Sequence, residues 1–266
     1  MKVLRLGHAM YQLTSEGGKN YLIDPFVDMN PGFPTLMDSE EFYQQIDAIF
    51  LTHGHFDHTS GLSKFVEHHS EVTIVAQYEL ALILLQQGFE NVIPINLGGS
   101  VSFDDVKATM VQAVHTSSYK ETQSTPMYAG ESAGYVFEFK DDYTLYHSGD
   151  TALMSDMKLI QDVYQPEIAI LSSSGHFTMG PTEAAYAVEN LLDVKYVIPS
   201  HTFPSEETAT SPDTLNALLE QFPVVENMIA KDHELERLLD KYPHTEVSVI
   251  GYGEERAFVK SKKPNA

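Results

Sequence analysis

The sequence predicts a layered α/β fold in which two mixed β-sheets pack face to face with helices on the outside. Three observations carry that expectation. Apolar runs of strand length interleave with amphipathic helical stretches through both halves of the 266 residues. Those runs repeatedly break at a glycine or a polar cluster, as strands do at a sheet edge. With 42% apolar residues the chain can bury a large core, and no Pro/Gly/Ser linker or charge block divides it. Residues 1–266 therefore read as one domain, with a flexible tail at 261–266.

The elements follow in order. Lys2–Leu6, Tyr11–Thr14 and Tyr21–Ile23 read as antiparallel strands, the last two joined by the turn Glu16-Gly17-Gly18-Lys19. Residues 25–34 form a loop in which Phe26, Met29 and Phe33 are expected to be exposed. That suggests a lid or a contact between copies of the chain, and so a homo-oligomer. Ala48–Leu51 has the bulk of a buried strand, and Val72–Ala76 is another. A helix spans Glu79–Gln87 and is stopped by Gly88. Ala108–Val114 is a strand, followed by a polar stretch, Thr116–Glu131, read as an active-site loop containing Ser117, Ser118, Tyr119, Ser124 and Thr125. Tyr135–Phe139 and Tyr143–Tyr146 form a hairpin across Lys140-Asp141-Asp142. Residues 183–192 form a helix with Ala184, Ala187, Val188 and Leu191 on its core face. Tyr196–Ser200 is the next strand, and a helical tail reaches about Lys241.

Chemistry concentrates at the ends of these strands. His53-Gly54-His55-Phe56-Asp57-His58 places three imidazoles and a carboxylate directly after Ala48–Leu51. Imidazole nitrogen with carboxylate oxygen suits zinc, iron, nickel or manganese. Gly54 is expected to give this loop its backbone freedom. His115, Asp150 and His201 each stand where another strand meets a loop, the place where open α/β sheets put ligand sites. His147 is expected to be structural, because strand alternation turns it away from Asp150. His68, His69, His233 and His244 lie in polar stretches and read as solvated.

The six-residue string, followed by His115, Asp150 and His201, resembles the metallo-β-lactamase superfamily, whose signature is His-x-His-x-Asp-His and then a distant His, Asp and His. The likeness runs over nearly the whole chain. Leu6-Gly7-His8-Ala9, Asp24-Pro25-Phe26, His115-Thr116-Ser117-Ser118, Tyr146–Thr151 and Phe177–Pro181 further resemble the branch of small metal-dependent hydrolases related to ascorbate-6-phosphate lactonase. The resemblance implies a four-layer αββα sandwich. It also implies two divalent metal ions per chain, zinc first, with manganese or iron as alternatives. His53, His55 and His115 would hold one ion, Asp57, His58 and His201 the other, with Asp150 bridging them. Asp24 would orient the ligands, with His8 near the site. Asp57 and Asp150 are the catalytic candidates, and Ser117, Ser118, Tyr119 and His176 are expected to face a substrate. Ser172-Ser173-Ser174-Gly175-His176 departs from that branch's usual string, which points to a different substrate-facing wall.

The implied activity is hydrolysis, by a metal-activated hydroxide, of a small polar or anionic ester-type substrate such as a lactone or phosphodiester. The alternative is an oxidoreductase resembling the single-iron persulfide dioxygenases, which keep the same histidines. Diiron flavoproteins of this fold carry a glutamate where this chain has His55, and no flavin domain is visible. No Gly-x-Ser-x-Gly string is present, so no serine nucleophile is implied. The chain has no cysteine, which removes disulfides and thiolate ligands. A net charge of −22 argues against nucleic-acid partners. Lys2 runs straight into a strand and no apolar run has the length of a membrane span, so a cytoplasmic protein with no membrane partner is expected.

Overall fold

The computed structural model describes residues 1–120 and 125–260. The expected tail at 261–266, and Ser124 of the polar loop, lie outside the described residues. Two seven-stranded sheets carry the fold. In spatial order the first runs Glu255–Ala257, Lys2–Gly7, Met10–Thr14, Asn20–Ile23, Ala48–Phe50, Thr73–Gln77 and Val92–Ile95. The second runs Glu246–Val247, Tyr196–Ser200, Ile168–Ser172, Thr144–His147, Ala133–Phe139, Val106–Gln112 and Ser100–Ser102. Each sheet is antiparallel in one half and parallel in the other, so both are mixed.

The inner faces meet around Phe50, Tyr135 and Phe137, whose rings pack edge to face at centroid separations of 5.3 and 5.0 Å from Phe50. Two tyrosines stitch the sheets. Tyr11 donates its hydroxyl proton to the carbonyl of Pro199, and Tyr135 donates to that of Leu51, each at 2.9 Å. The outer face of the first sheet is covered by the helices Glu40–Gln44, Leu62–His68 and Tyr78–Gln86, through Phe42, Leu62, Phe65, Leu80 and Leu84. That of the second is covered by Asp156–Tyr164, Pro181–Asn190 and Asp232–Leu239, through Met157, Ile160, Ala184, Val188 and Leu235. The result is the expected αββα order of layers. Burial on both faces explains why Ala48–Phe50 and Ile168–Ser172 read as continuous apolar runs instead of alternating ones.

Local signals set the helix ends. Gln77 accepts from the Glu79 amide at the start of Tyr78–Gln86, and Gly88 leaves that helix at a φ of +94°. Pro181 begins its helix two residues earlier than expected, since proline suits the first helical turn. The expected strand Ala108–Val114 occupies Val106–Gln112 instead, leaving Val114 exposed on the way to His115.

The loop at 25–34 differs from expectation. Phe26 and Phe33 are buried and Met29 is half-buried, so the loop presents no exposed apolar edge. The C-terminal helical tail covers it: Phe26 and Met29 pack with Phe203, Leu218, Val225 and Met228. Thr210 fastens it by donating its amide to the Pro31 carbonyl and its hydroxyl to those of Pro31 and Phe33. The sequence alone does not show that residues near 215–228 return to cover this segment. No helix among the described residues is long and apolar enough to cross a membrane.

Candidate metal centre

Strand direction brings the candidates to one edge. Asn20–Ile23, Ala48–Phe50 and Thr73–Gln77 run parallel, and Lys2–Gly7 shares their direction because Met10–Thr14 opposes both neighbours. In the second sheet Thr144–His147, Ile168–Ser172 and Tyr196–Ser200 are parallel, and Val106–Gln112 shares their direction by the same logic. His8, Asp24, His53, His115, Asp150, Ser174 and His201 each follow one of these carboxyl ends. Asp57 and His58 then rise on the single turn Phe56–Thr59.

The donors converge. Ligand atoms of His53, His55 and His115 lie within 4.8 Å of one another, as do those of His53, His58 and Asp150. A third such group joins His8 to Asp57, His58 and His201. His53 Nε2 is 2.9 Å from His55 Nδ1, and Asp150 Oδ2 is 2.7 Å from His201 Nε2, 3.5 Å from His58 Nε2 and 3.7 Å from His115 Nε2. All seven residues expected as ligands therefore share one centre. His8 is closer than expected: its Nε2 is 3.1 Å from Asp57 Oδ2, and its ring stacks on Phe203 at 4.1 Å.

Buried partners aim these rings. Asp24 accepts from the Thr52 amide and hydroxyl at 2.8 and 2.7 Å, and its Oδ2 lies 2.8 Å from His58 Nδ1, so His58 presents Nε2 to the centre. Ser174 Oγ holds His201 Nδ1 at 3.0 Å, and Thr52 Oγ1 holds His53 Nδ1 at 3.0 Å. His8, Asp24 and His201 all have positive φ, at 48°, 52° and 62°. Left-handed backbone is uncommon outside glycine and gathers at functional sites, where the surroundings enforce it.

Protonation follows the same layout. Burial pushes His8 and His55 down to about 4 and His53 well below the ordinary imidazole value. Burial opposes a charge on His58 too, but Asp150, Asp57 and Asp24 outweigh it and raise that group well above the ordinary value. Burial would raise Asp57 and Asp150, yet the facing histidines hold both carboxylates below their usual range. Neutral imidazoles with ionised carboxylates are the forms that ligate metals, so His58 would release its proton when an ion binds. Nε2 of His58 and of His201 are buried and face this cluster, 3.5 and 2.7 Å from Asp150 Oδ2 but without a well-angled hydrogen bond. The donor set fits a divalent cation.

Gly54 fits the motif for a reason other than φ. A side chain there would meet the Ser118 carbonyl at 2.7 Å and Ala129 Cβ at 2.8 Å, so the glycine permits close approach of two segments. Ser117 takes part in that approach: its hydroxyl accepts from the Gly54 amide and donates to the Ala129 carbonyl, each at 3.2 Å. Ser118 and Tyr119 form a short ribbon with Met127 and Tyr128, and the Tyr119 hydroxyl donates to Gln87. Ser117 and Ser118 thus back onto the metal loop, and none of these three residues, expected at the substrate, lines the cavity beside it. His176 is exposed, packs on Phe177, and does not line it either. His147 is buried, with Nδ1 accepting from the Gly149 amide at 3.1 Å, as its structural role requires.

A cavity of about 650 Å³ opens over the donors, lined by His55, Asp57, His115, Asp150 and His201 together with Phe56, Thr116, Phe177, Gln221 and Phe222. The last five were not named as lining residues in the sequence, although Phe56, Thr116 and Phe177 lie in stretches read there as part of the site. Thr116 and Phe56 adjoin ligands and could have been, whereas nothing local marks Gln221 and Phe222. A groove of about 1090 Å³ lies at the opposite edge of the second sheet, among Thr144, Glu167, Lys195 and Lys260. Its Lys195 and Lys260 pair with Glu167, and among the described residues it holds no comparable donor cluster.

Two mixed sheets in four layers, with a histidine and aspartate cluster at their shared edge, define a metallo-β-lactamase fold. The chain belongs to that superfamily: the family model described as a beta-lactamase superfamily domain matches residues 19–202. A UPF0173 metal-dependent hydrolase of Rubrobacter xylanophilus is 41% identical over 207 residues, which cover 76% of this chain and 83% of that one. A second, from Koribacter versatilis, is 40% identical over 206 residues, covering 77% and 86%. Among solved structures, Igni18, a metallo hydrolase from Ignicoccus hospitalis, superposes with a TM-score of 0.77 at 26% identity, over 98% of this chain and 99% of that one. An isothiocyanate hydrolase from Delia radicum gut bacteria shares the fold, with a TM-score of 0.70 at 20% identity over 97% and 99%.

Proposed function

We propose that the chain is a two-metal hydrolase acting on a small ester-type bond, a lactone or a phosphodiester. The observation that carries this reading is the convergence of eight donors, all imidazole or carboxylate, five of which line an open cavity. His53, His55 and His115 would hold one ion. Asp57, His58 and His201 would hold the other, with His8 beside them and Asp150 between the two groups. Divalent ions bound there would supply Lewis acidity and a water acidified toward a pKa of about 7.

The protein's own part is orientation. Asp24, Thr52 and Ser174 fix which nitrogen His58, His53 and His201 present. Asp57 lines the cavity and is held ionised, so it orients an attacking water by accepting its hydrogen bond and is a weak proton acceptor. Thr116, at the rim, offers a hydroxyl to a polar substrate oxygen.

Elemental analysis of the purified protein, run beside a panel of lactone, phosphodiester, thioester and amide substrates with structured RNA as a control, tests the reading. We expect about two divalent ions per chain, turnover of an ester-type substrate and negligible RNA cleavage. One tightly bound iron with oxygen-dependent turnover would instead establish the dioxygenase alternative. Asp57→Ala should lower kcat at least ~100-fold in folded protein, because losing an ion's ligand exceeds the 10–100-fold typical of outer partners. Near-normal turnover in a metal-replete variant would remove Asp57 from the mechanism.

A further inference from the structure

Resting on that hydrolase reading, the cavity wall narrows the substrate class. Apart from the donors, the lining among the described residues consists of Phe56, Thr116, Phe177, Gln221 and Phe222. Three of these five are phenylalanines, and none is charged. Phe56 and Phe222 stack with centroids 5.4 Å apart and planes at 20°. Phe177 is 53% exposed, a large apolar ring left open at the mouth of a concave site. Mostly apolar walls with a few polar groups are how small-molecule sites grip the apolar part of a ligand.

The missing residue type is as informative. Sites that select phosphate or carboxylate place an arginine or lysine within reach of it. No lysine or arginine lines this cavity among the described residues, and residues 121–124 read Glu-Thr-Gln-Ser. Arg5, buried on the strand that leads to His8, is committed to Asp232 at 2.7 Å, Thr202 at 2.7 Å and the Ile250 carbonyl at 3.0 Å. Gln221 and Phe222 lie beyond residues 19–202, so part of this wall comes from a segment outside the matched family region.

We propose that the cavity takes an uncharged ester-type substrate, a lactone in preference to a phosphodiester, whose aromatic or similarly bulky apolar substituent seats against Phe56, Phe177 and Phe222. Thr116 and Gln221 serve its polar atoms. In the reaction, water oxygen bonds to the acyl carbon and the bond from that carbon to the ring oxygen breaks. The ring oxygen takes a proton, giving a hydroxy acid that ionises. No cationic side chain of the wall adds to the hold that the bound ions would have on that anion.

The test compares γ-butyrolactone, γ-phenyl-γ-butyrolactone and γ-carboxy-γ-butyrolactone as substrates of the metal-loaded protein. We expect kcat/KM for the phenyl compound to exceed that of the parent by about 10-fold or more, in the range an apolar pocket can discriminate, with the carboxylate no better than the parent. Phe177→Ala and Phe222→Ala should each reduce the phenyl preference, mainly through KM. In parallel, broadening of the fluorine signal of 4-fluorobenzyl alcohol, which has no ester to cleave, reads occupancy of the wall, and both variants should weaken it. Lactone turnover without a phenyl preference, or with the carboxylate preferred, overturns the assignment and leaves the hydrolase reading standing. Fluorobenzyl binding lost in both variants, with no turnover of any lactone, supports the apolar site and sinks lactone hydrolysis. No fluorobenzyl binding to the unaltered protein overturns the apolar site.

Discussion

At the scale of single residues, the histidine nearest the amino terminus has the most to reveal. His8 reaches Asp57 at 3.1 Å, and the ring is held between Phe203 and His201 at centroid distances of 4.1 Å each. His8→Ala should therefore weaken binding of one of two metal equivalents by at least ~10-fold while the other is little changed. Chelator competition measures both, and two equivalents retained at the original affinity would show that the ring merely packs there. The buried ring of His147 has a different consequence. Burial holds it down to about 4, so the folded state prefers the neutral form. With the folded pKa below the unfolded one, this stability is present above about pH 6.5 and is lost as the pH falls toward about 4. The single group costs about 2 kcal/mol at pH 5. His147→Gln should shrink the difference between denaturant midpoints at pH 7 and pH 5, and an unchanged difference would remove this residue as the cause.

At the scale of elements, the strand ends that present the donors are tied across the sandwich. The Tyr135 hydroxyl caps the Leu51 carbonyl just before the metal loop, and the Tyr11 hydroxyl caps that of Pro199 just before His201. Tyr135→Phe should cost about 1–3 kcal/mol by leaving a buried carbonyl unpaired, and should lower metal occupancy because the Thr52–His53 turn loses its anchor. Thermal midpoint and metal content check the two effects separately, and loss of stability with full occupancy would confine the tyrosine to the core. Much of this was legible in advance. The contexts of His53, His115, Asp150 and His201 were readable because a strand ending in a ligand residue is a local pattern. What stayed hidden depends on contacts between distant segments. Ser117 looks like a substrate hydroxyl until Gly54 and Ala129 are seen to occupy it. Phe26 looks exposed until the tail carrying Leu218 and Met228 folds over it.

At the scale of the whole molecule, the donors are divided between the two halves of the sandwich. The first sheet supplies His8, His53, His55, Asp57 and His58, and the second supplies His115, Asp150 and His201. A divalent ion held among them is a crosslink between chain segments nearly two hundred residues apart. Free metal at ~1,000 times its dissociation constant would stabilise the folded state by about 4 kcal/mol. At roughly 2–4 °C per kcal/mol for a chain of this size, its removal by a chelator should lower the thermal midpoint by about 10 °C. Calorimetry with and without chelator measures this, and an unchanged midpoint would mean that the ion ties nothing together. The same division has a cellular corollary. When metal is scarce, the molecules that have lost activity are also those that open most often, and proteases remove opened chains first. Catalytic competence and survival would then be read from the same bound metal.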